Sequence, residues 1–475
     1  MIYKNVMVAI ACVVSAFYSL AGLSQTPEQA VNAVIQNTHG VNLNNVNFGI
    51  AVMSMTTGKM VYKYNIDRLY TPASVQKLFT ASAALAYLKP GYRFKTGFFT
   101  NGLVRNYELD GDLYVHFSGD PSLKLANLAQ MMDELHSMHV NRIQGHVYID
   151  NFDFDRVPYP PGWIWDDLSY SYAAPMDAII LDRNKFALRF TPTQLGQSPG
   201  LSSNLPNGVA DFVNRMRTMD SYREDCPITI YSTQHNEYQV AGCLDQHWGA
   251  QSRSLAVRDM VRYAEVEVAS LLQARGITYL GSVTLQKMPA NSTPLVVHAS
   301  QPLSQLVRYM LKKSDNLYTN ALFKKIGEEY SGESGSWQNG LQALKHILGP
   351  TANIDFKANL LTDGAGLSRY NLISPHQFIS LLNFVYHNAS IKTPLLEALP
   401  VSGRDGTLQG RMIDEDYAGR VHAKTGSMTG VTALAGYVVA QHDTFAFAIL
   451  INDFVGKKSP YMHVEDRVCE ALVKI

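Results

Sequence analysis

The chain has 475 residues, 46% hydrophobic and 17% charged, with Lys and Arg (40) balancing Asp and Glu (40) to a formal net charge of zero. Such a length has room for two or three domains that each bury a core without metals or disulfides, and the apolar fraction excludes a disordered chain. A neutral chain offers no overall basic field, which excludes a general nucleic-acid binder, and no heptad run, Gly-X-Y period or longer repeat points to a fibre or solenoid.

The first two dozen residues have a separate job. Lys4 precedes an uncharged run from Val6 to Leu23, and polar Ser24-Gln25-Thr26-Pro27 follows. This is the layout of an export signal at residues 1–24, cleaved after Ala21 or Ser24. The alternative is a retained membrane anchor, since the run is just long enough to span; Ser15, Ser19 and Gly22 interrupt it and favour cleavage. Cys12 lies too early in the run to be a lipid-attachment site. Export places the cysteines in an oxidising compartment. Cys226 and Cys243, flanked by Asp225 and Gly242 in loop-like sequence, are the natural pair, with two buried free thiols as the alternative. Cys469, within Val468-Cys469-Glu470-Ala471-Leu472, reads as a core-facing residue of a terminal helix.

From Asn47 the chain alternates through Phe48-Gly49-Ile50-Ala51-Val52-Met53-Ser54, turns at Thr56-Thr57-Gly58-Lys59 and resumes as Met60-Val61-Tyr62-Lys63-Tyr64. The pattern predicts a β-hairpin. A helix is predicted to start near Pro72-Ala73-Ser74, with Pro in the first turn and Ser as cap. Val75, Leu78, Phe79, Ala81, Leu85 and Leu88 recur at helical spacing until Lys89-Pro90-Gly91. Between about Tyr92 and Val296 lie short β-like runs, such as Asp112–Phe117 and Gly145–Asp150, separated by Pro, Gly and Asp turns. Strands return at Thr432–Val439 and Thr444–Ile451, and a last helix closes the chain. Both chain ends are thus expected to build one antiparallel sheet flanked by helices, an α+β unit of residues 25–94 and 295–475. Residues 95–294 are expected to form a β-rich insertion of one or two domains.

No Gly-rich dinucleotide fingerprint, phosphate loop or paired-His zinc motif occurs, which lowers cofactor and zinc-protease readings. Ser74-Val75-Gln76-Lys77 stands at the predicted helix start. Positions i and i+3 share a helix face, so hydroxyl and amine can meet, and the helix dipole favours a developing alkoxide. A Lys desolvated among Phe79-like neighbours loses basicity and becomes a usable base. The bland alternative is a capping Ser beside a solvated Lys. Ser314-Asp315-Asn316 pairs a hydroxyl with an amide able to hold a carbonyl. Lys424-Thr425-Gly426 precedes the terminal strands; Lys and Thr can grip a carboxylate while Gly admits a substrate backbone. Taken singly, these two triplets are weak signals, matching common turns.

The ordered triplets S-x-x-K, S-D-N and K-T-G mark penicillin-binding proteins and class A β-lactamases. With Tyr70-Thr71-Pro72-Ala73-Ser74, Phe117-Ser118-Gly119-Asp120-Pro121-Ser122-Leu123, Asp363-Gly364-Ala365-Gly366-Leu367-Ser368-Arg369, Gly403-Arg404-Asp405-Gly406-Thr407-Leu408 and Ala423-Lys424-Thr425-Gly426-Ser427, the chain resembles the class C low-molecular-mass penicillin-binding proteins, the D-alanyl-D-alanine carboxypeptidase/endopeptidase family S13. The long interval between Ser74 and Ser314 separates it from class A β-lactamases and holds the insertion, which in that family forms two extra domains. The resemblance implies a serine β-lactamase/transpeptidase-like fold, no cofactor and no metal. It implies peptidoglycan stem peptides as substrate, β-lactams as covalent inhibitors and a periplasmic location; it leaves the oligomeric state open, a homodimer included.

The same resemblance implies Ser74 as nucleophile and Lys77 as its base. Ser314 with Lys424 would protonate the leaving D-alanine, and Asn316 would hold the acyl-side amide. Lys424, Thr425 and Gly426 would receive the substrate terminus, and backbone N–H groups of Ser74 and Ser427 would form the oxyanion hole. Within Trp163–Pro175, Asp167 and Tyr172 would contact the far end of the diaminopimelate side chain, joined by Arg369; Thr429 departs from a more polar residue in some members. Competing readings are a β-lactamase, a catalytically silent wall-binding scaffold, and an amidase or esterase on the same fold.

Overall fold

The computed structural model describes residues 25–38, 41 and 43–475. The predicted export signal, with its cleavage and anchor alternatives, lies outside the described residues. Among those described, no helix is long and apolar enough to cross a membrane.

Both chain ends build one five-stranded antiparallel sheet. Its strands are β1 (Asn47–Ser54), β2 (Met60–Tyr64), β3 (Val421–Met428), β4 (Val431–Val439) and β5 (Thr444–Asn452), in the order β3-β4-β5-β1-β2. Successive side chains of a strand point to opposite faces. On β5, Phe445, Phe447, Ile449 and Ile451 enter the core beneath the two terminal helices, α1 (Pro27–Gln36) and α8 (Ser459–Val473). The intervening Ala446 and Ala448 face the other core, with Ala433 and Ala435 of β4. Small residues on that face let helix α2 (Lys77–Leu88) lie close, and α2 is buried from Lys77 to Leu85, as expected of a helix apolar on all sides. Helices α3 (Leu303–Lys313), α4 (Asn316–Ser331), α5 (Trp337–Ala352), α6 (Pro375–His387) and α7 (Ala389–Ala398) complete this second core.

The inserted segment follows α2. Strand Lys95–Thr100 pairs with Thr293–Ala299 inside a mixed five-stranded sheet. The boundary expected at 294/295 therefore falls inside a strand, because the chain leaves and re-enters the insertion along one strand pair. Two three-stranded sheets, drawn from Lys185 to Ala256, hold the remaining long strands. Cys226 and Cys243 are disulfide-bonded there, and Cys469 is a buried free thiol on α8. The insertion also carries two helices that the sequence reading passed over, Leu125–Ser137 and Met260–Ala274.

Candidate active site

The approach to α2 is fixed before its first helical residue. Thr71 N–H donates to Asn452 Oδ1 (2.7 Å), and Asn452 Nδ2 donates to the Thr71 carbonyl (3.2 Å), tying the turn to the end of β5. Ala73 then takes φ +47°, a left-handed conformation unfavourable for a residue with a Cβ. Ala73–Gln76 form a tight 3-10 turn, and α2 proper begins at Lys77. Ser74 caps nothing, contrary to the helix-start expectation, because the left-handed residue before it turns its side chain toward Lys77 instead.

Lys77 Nζ lies 2.9 Å from Ser74 Oγ, 2.6 Å from Asn316 Oδ1 and 2.7 Å from the Ala365 carbonyl. The side chain is fully buried. Burial lowers its pKa to about 7, against the opposing pull of the Asp363 and Asp315 carboxylates. A neutral amine has two N–H donors and one lone pair; Asn316 Oδ1 and the Ala365 carbonyl take the donors, leaving the lone pair for the Ser74 hydroxyl.

Ser314 sits between α3 and α4 with φ +56°, the left-handed residue that ends α3. Asp315 caps α4, its Oδ1 accepting from Tyr318 N–H (3.0 Å). This sharp junction brings Ser314 Oγ within 2.9 Å of Lys424 Nζ on β3. Lys424 is fully buried; burial, then the neighbouring Lys77, holds its pKa well below the usual lysine value. β3 is an edge strand, and Gly426 is where it meets the nucleophile turn. A Cβ there would stand 2.8 Å from the Pro72 carbonyl oxygen and 3.2 Å from Ser74 N. The bare backbone of Gly426 thus admits the close approach of the nucleophile turn.

The loop from Asp363 to Asn371 closes the back of the site. The buried Asp363 carboxylate accepts from Gly366 N–H (2.7 Å), Leu367 N–H (3.1 Å), Ser368 N–H (2.8 Å), Asn371 Nδ2 (3.0 Å) and, from the insertion, Trp163 Nε1 (2.7 Å). A Cβ on Gly366, whose φ is +78°, would fall 1.9 Å from the Ala73 carbonyl oxygen. Gly366→Ala is expected to destabilise the fold by roughly 1–3 kcal/mol and to slow acylation by benzylpenicillin, because backbone must shift beneath Ser74. Denaturant melts and acylation rates check this; a variant matching wild type in both contradicts it.

The remaining sequence-predicted residues fall in four places around the site. Tyr172 O–H donates to Asp167 Oδ1 (2.7 Å), and the Tyr172 carbonyl accepts from Asn316 Nδ2 (2.7 Å), so both stand at the mouth of the site. Arg369 Nη1 donates instead to the Thr429 carbonyl (2.8 Å), at the β3–β4 turn, and its N–H to the Gly162 carbonyl (3.1 Å). Thr425 Oγ1 lies 2.8 Å from Thr407 Oγ1, while Ser427 Oγ accepts from Lys458 Nζ (2.8 Å).

Residues 28–467 match the family model of the D-Ala-D-Ala carboxypeptidase 3 (S13) family. The chain belongs to this family. It is 32% identical to the D-alanyl-D-alanine carboxypeptidase DacB of Haemophilus influenzae over 90% of this chain and 91% of that one. The crystal structure of penicillin binding protein 4 (dacB) from Haemophilus influenzae superposes with a TM-score of 0.86 at 31% identity, covering 94% of this chain and 99% of that chain. The same protein complexed with a novel β-lactam gives a TM-score of 0.80 at 30% identity, with the same coverage.

In this S13 family member, sequence reasoning missed Lys458, Thr407, Trp163 and the framework role of Asp363. Asp363 and Thr407 lie inside stretches that resemble the family, which was the available signal. Trp163 likewise opens the Trp163–Pro175 stretch that resembles the family, whereas Lys458 reaches the site from a loop after β5 that no local spacing announces.

Proposed function

We propose that the protein is a β-lactam-sensitive serine D-alanyl-D-alanine peptidase that acts on peptidoglycan stem peptides in the periplasm through an acyl-enzyme on Ser74. The observation that carries the reading is the fully buried Lys77 amine, with both donors engaged and its lone pair facing Ser74 Oγ. The Ser74 hydroxyl gives its proton to Lys77 while Oγ adds to the carbonyl carbon between the two D-alanines. Backbone N–H groups of Ser74 and Ser427 receive the oxyanion, a contribution of about 3–4 kcal/mol per donor in such sites. The C–N bond breaks as Ser314 Oγ protonates the leaving nitrogen, and the proton that Lys77 took from Ser74 passes through the neighbouring Lys424 amine to restore Ser314, so both lysines end uncharged. Net, one proton leaves Ser74 and one reaches the released amine. Water then adds to the ester, yielding the shortened peptide and restoring the serine hydroxyl.

Asn316, held between Lys77 and the Tyr172 carbonyl, would orient the acyl-side amide. Thr425, with Thr407 beside it, and Lys424 would receive the terminal carboxylate, with Lys458 adding positive charge next to Ser427. Asp167 and Tyr172 would meet the far end of the stem-peptide side chain; Arg369, bonded to the Thr429 carbonyl, would join them only by releasing that contact. A β-lactam acylates the same serine but keeps its leaving amine tethered where water must attack, so the adduct persists. The β-lactam complex of the Haemophilus influenzae protein supports β-lactam binding by this chain.

Digestion of purified muropeptides tests the reading. Release of free D-alanine, conversion of cross-linked dimers to monomers, or both, is expected. Neither product, from protein that also takes up no penicillin, would return the chain to the silent-scaffold class.

A further inference from the structure

Where the inserted segment meets α3 and α4 lies a cavity of about 890 Å³, lined by Asp182, Arg183, Lys185 and Glu267 from the insertion and by Tyr309 and Tyr318 from the two helices. Its volume falls within the range that buries drug-sized ligands. Its charged groups do not satisfy one another. Glu267, on the helix Met260–Ala274, is 6% exposed, and its carboxylate has no hydrogen-bond or ion-pair partner among the described residues. Burial, then the Asp182 carboxylate, pushes its pKa up. The half-buried Lys185 amine also has no partner among the described residues, and burial followed by the Arg183 guanidinium pulls its pKa down.

Arg183 connects the cavity to the active site. Its Nη2 donates to Asp315, the residue between Ser314 and Asn316, and its guanidinium lies 5.6 Å from the centre of the Tyr309 ring. Its Nε is buried and unpaired. Asp182, Arg183 and Asn184 hold φ +47°, +63° and +47°, three successive left-handed residues none of which is glycine. Asn184 keeps them there, accepting from Leu181 N–H (2.9 Å) and donating to the Ile179 carbonyl (2.8 Å). Strain of this kind persists only where the surroundings enforce it.

We propose that this cavity is a second, noncatalytic binding site for a zwitterionic peptide fragment, whose ammonium pairs with Glu267 and whose carboxylate pairs with Lys185 and Arg183 Nε, beside the Ser314–Asn316 turn. Glu267 and Lys185 both face the cavity without a partner among the described residues, and a ligand bearing both signs pairs with the two at once. Two sources carry this chemistry, free D-alanine and a stem-peptide fragment. The cavity is far larger than one amino acid needs, which favours the fragment. Naming a stem peptide rests on the function proposed above; the charge pattern of the cavity does not.

Protein acylated with benzylpenicillin has its catalytic site blocked and is titrated by calorimetry with disaccharide-tetrapeptide carrying a free side-chain amine. One equivalent is expected to bind. Glu267→Gln, Lys185→Met and N-acetylation of the fragment are each expected to weaken binding at least about tenfold. Lys185 is half-buried at the start of a strand, so its variant remains informative if Glu267→Gln fails to fold. No binding to acylated protein, unchanged affinity in the folded variants, or D-alanine competing as tightly as the fragment overturns the proposal. If mass spectra show no acylation, the functional reading has failed; the titration is then run on untreated protein, where the same two variants decide the cavity's role.

Discussion

Ser74→Ala is expected to yield folded protein that gains no drug mass from benzylpenicillin and releases D-alanine at least about 10⁴-fold more slowly than wild type. The loss is large because the variant has no atom that can become the ester. The fold should tolerate the change. A capping serine replaced by alanine typically costs ~1 kcal/mol of helix stability, but Ser74 caps nothing and its side chain gives up only the contact with Lys77. Intact-mass spectra and a D-alanine assay read the result. An adduct surviving in the variant would assign the nucleophile elsewhere.

Lys77→Met is expected to slow acylation by about 10²- to 10⁴-fold, the usual contribution of a positioned general base, and also to change how stability depends on pH. The Lys77 pKa is lowered to about 7 in the folded protein, against roughly 10.4 for an unfolded chain. Between those values the unfolded chain binds more protons, so this group makes wild-type stability rise with pH across that window. Below pH 7 the penalty is fully present; above about pH 10.4 it is gone. The stability of wild type relative to Lys77→Met should therefore improve by on the order of 4 kcal/mol from pH 7 to pH 10. The absolute offset also contains the acceptors left by the missing amine, at Asn316 and Ala365, so the slope is the informative quantity. Parallel denaturant melts at several pH values measure it, and a pH-independent difference would mean that Lys77 keeps an ordinary pKa.

The sheet was legible because strands β1 and β5 alternate large and small residues, as Phe445-Ala446-Phe447-Ala448 does. The triplets were legible because the pairing of Ser74 with Lys77 is a local, one-turn relation. The left-handed Ala73 was not, since alanine favours helix and only the Asn452 bonds to Thr71 and the bare backbone of Gly366 force the exception. The insertion helix Leu125–Ser137 did carry a signal, with Leu128, Met131, Met132 and Leu135 buried at helical spacing. It was masked by the strand-like runs on either side. Lys458 acts through one contact with Ser427, and Asp363 joins its own loop to Trp163 of the insertion, relations that no periodicity can reveal. Arg369 shows the opposite limit: the resemblance grouped it with Asp167 and Tyr172, whereas its guanidinium bonds to the carbonyl of Thr429, a position also singled out from sequence.

The claim on which the mechanism stands is that Lys77 is an uncharged amine when it meets the Ser74 hydroxyl. The second-order rate constant for acylation by benzylpenicillin, followed by intact mass from pH 5 to pH 9, tests it most directly. The account predicts a tenfold rise per pH unit that levels off near pH 7, the folded-state pKa of Lys77. A rate constant that stays flat across the range, or still climbs tenfold per unit at pH 9, would contradict it.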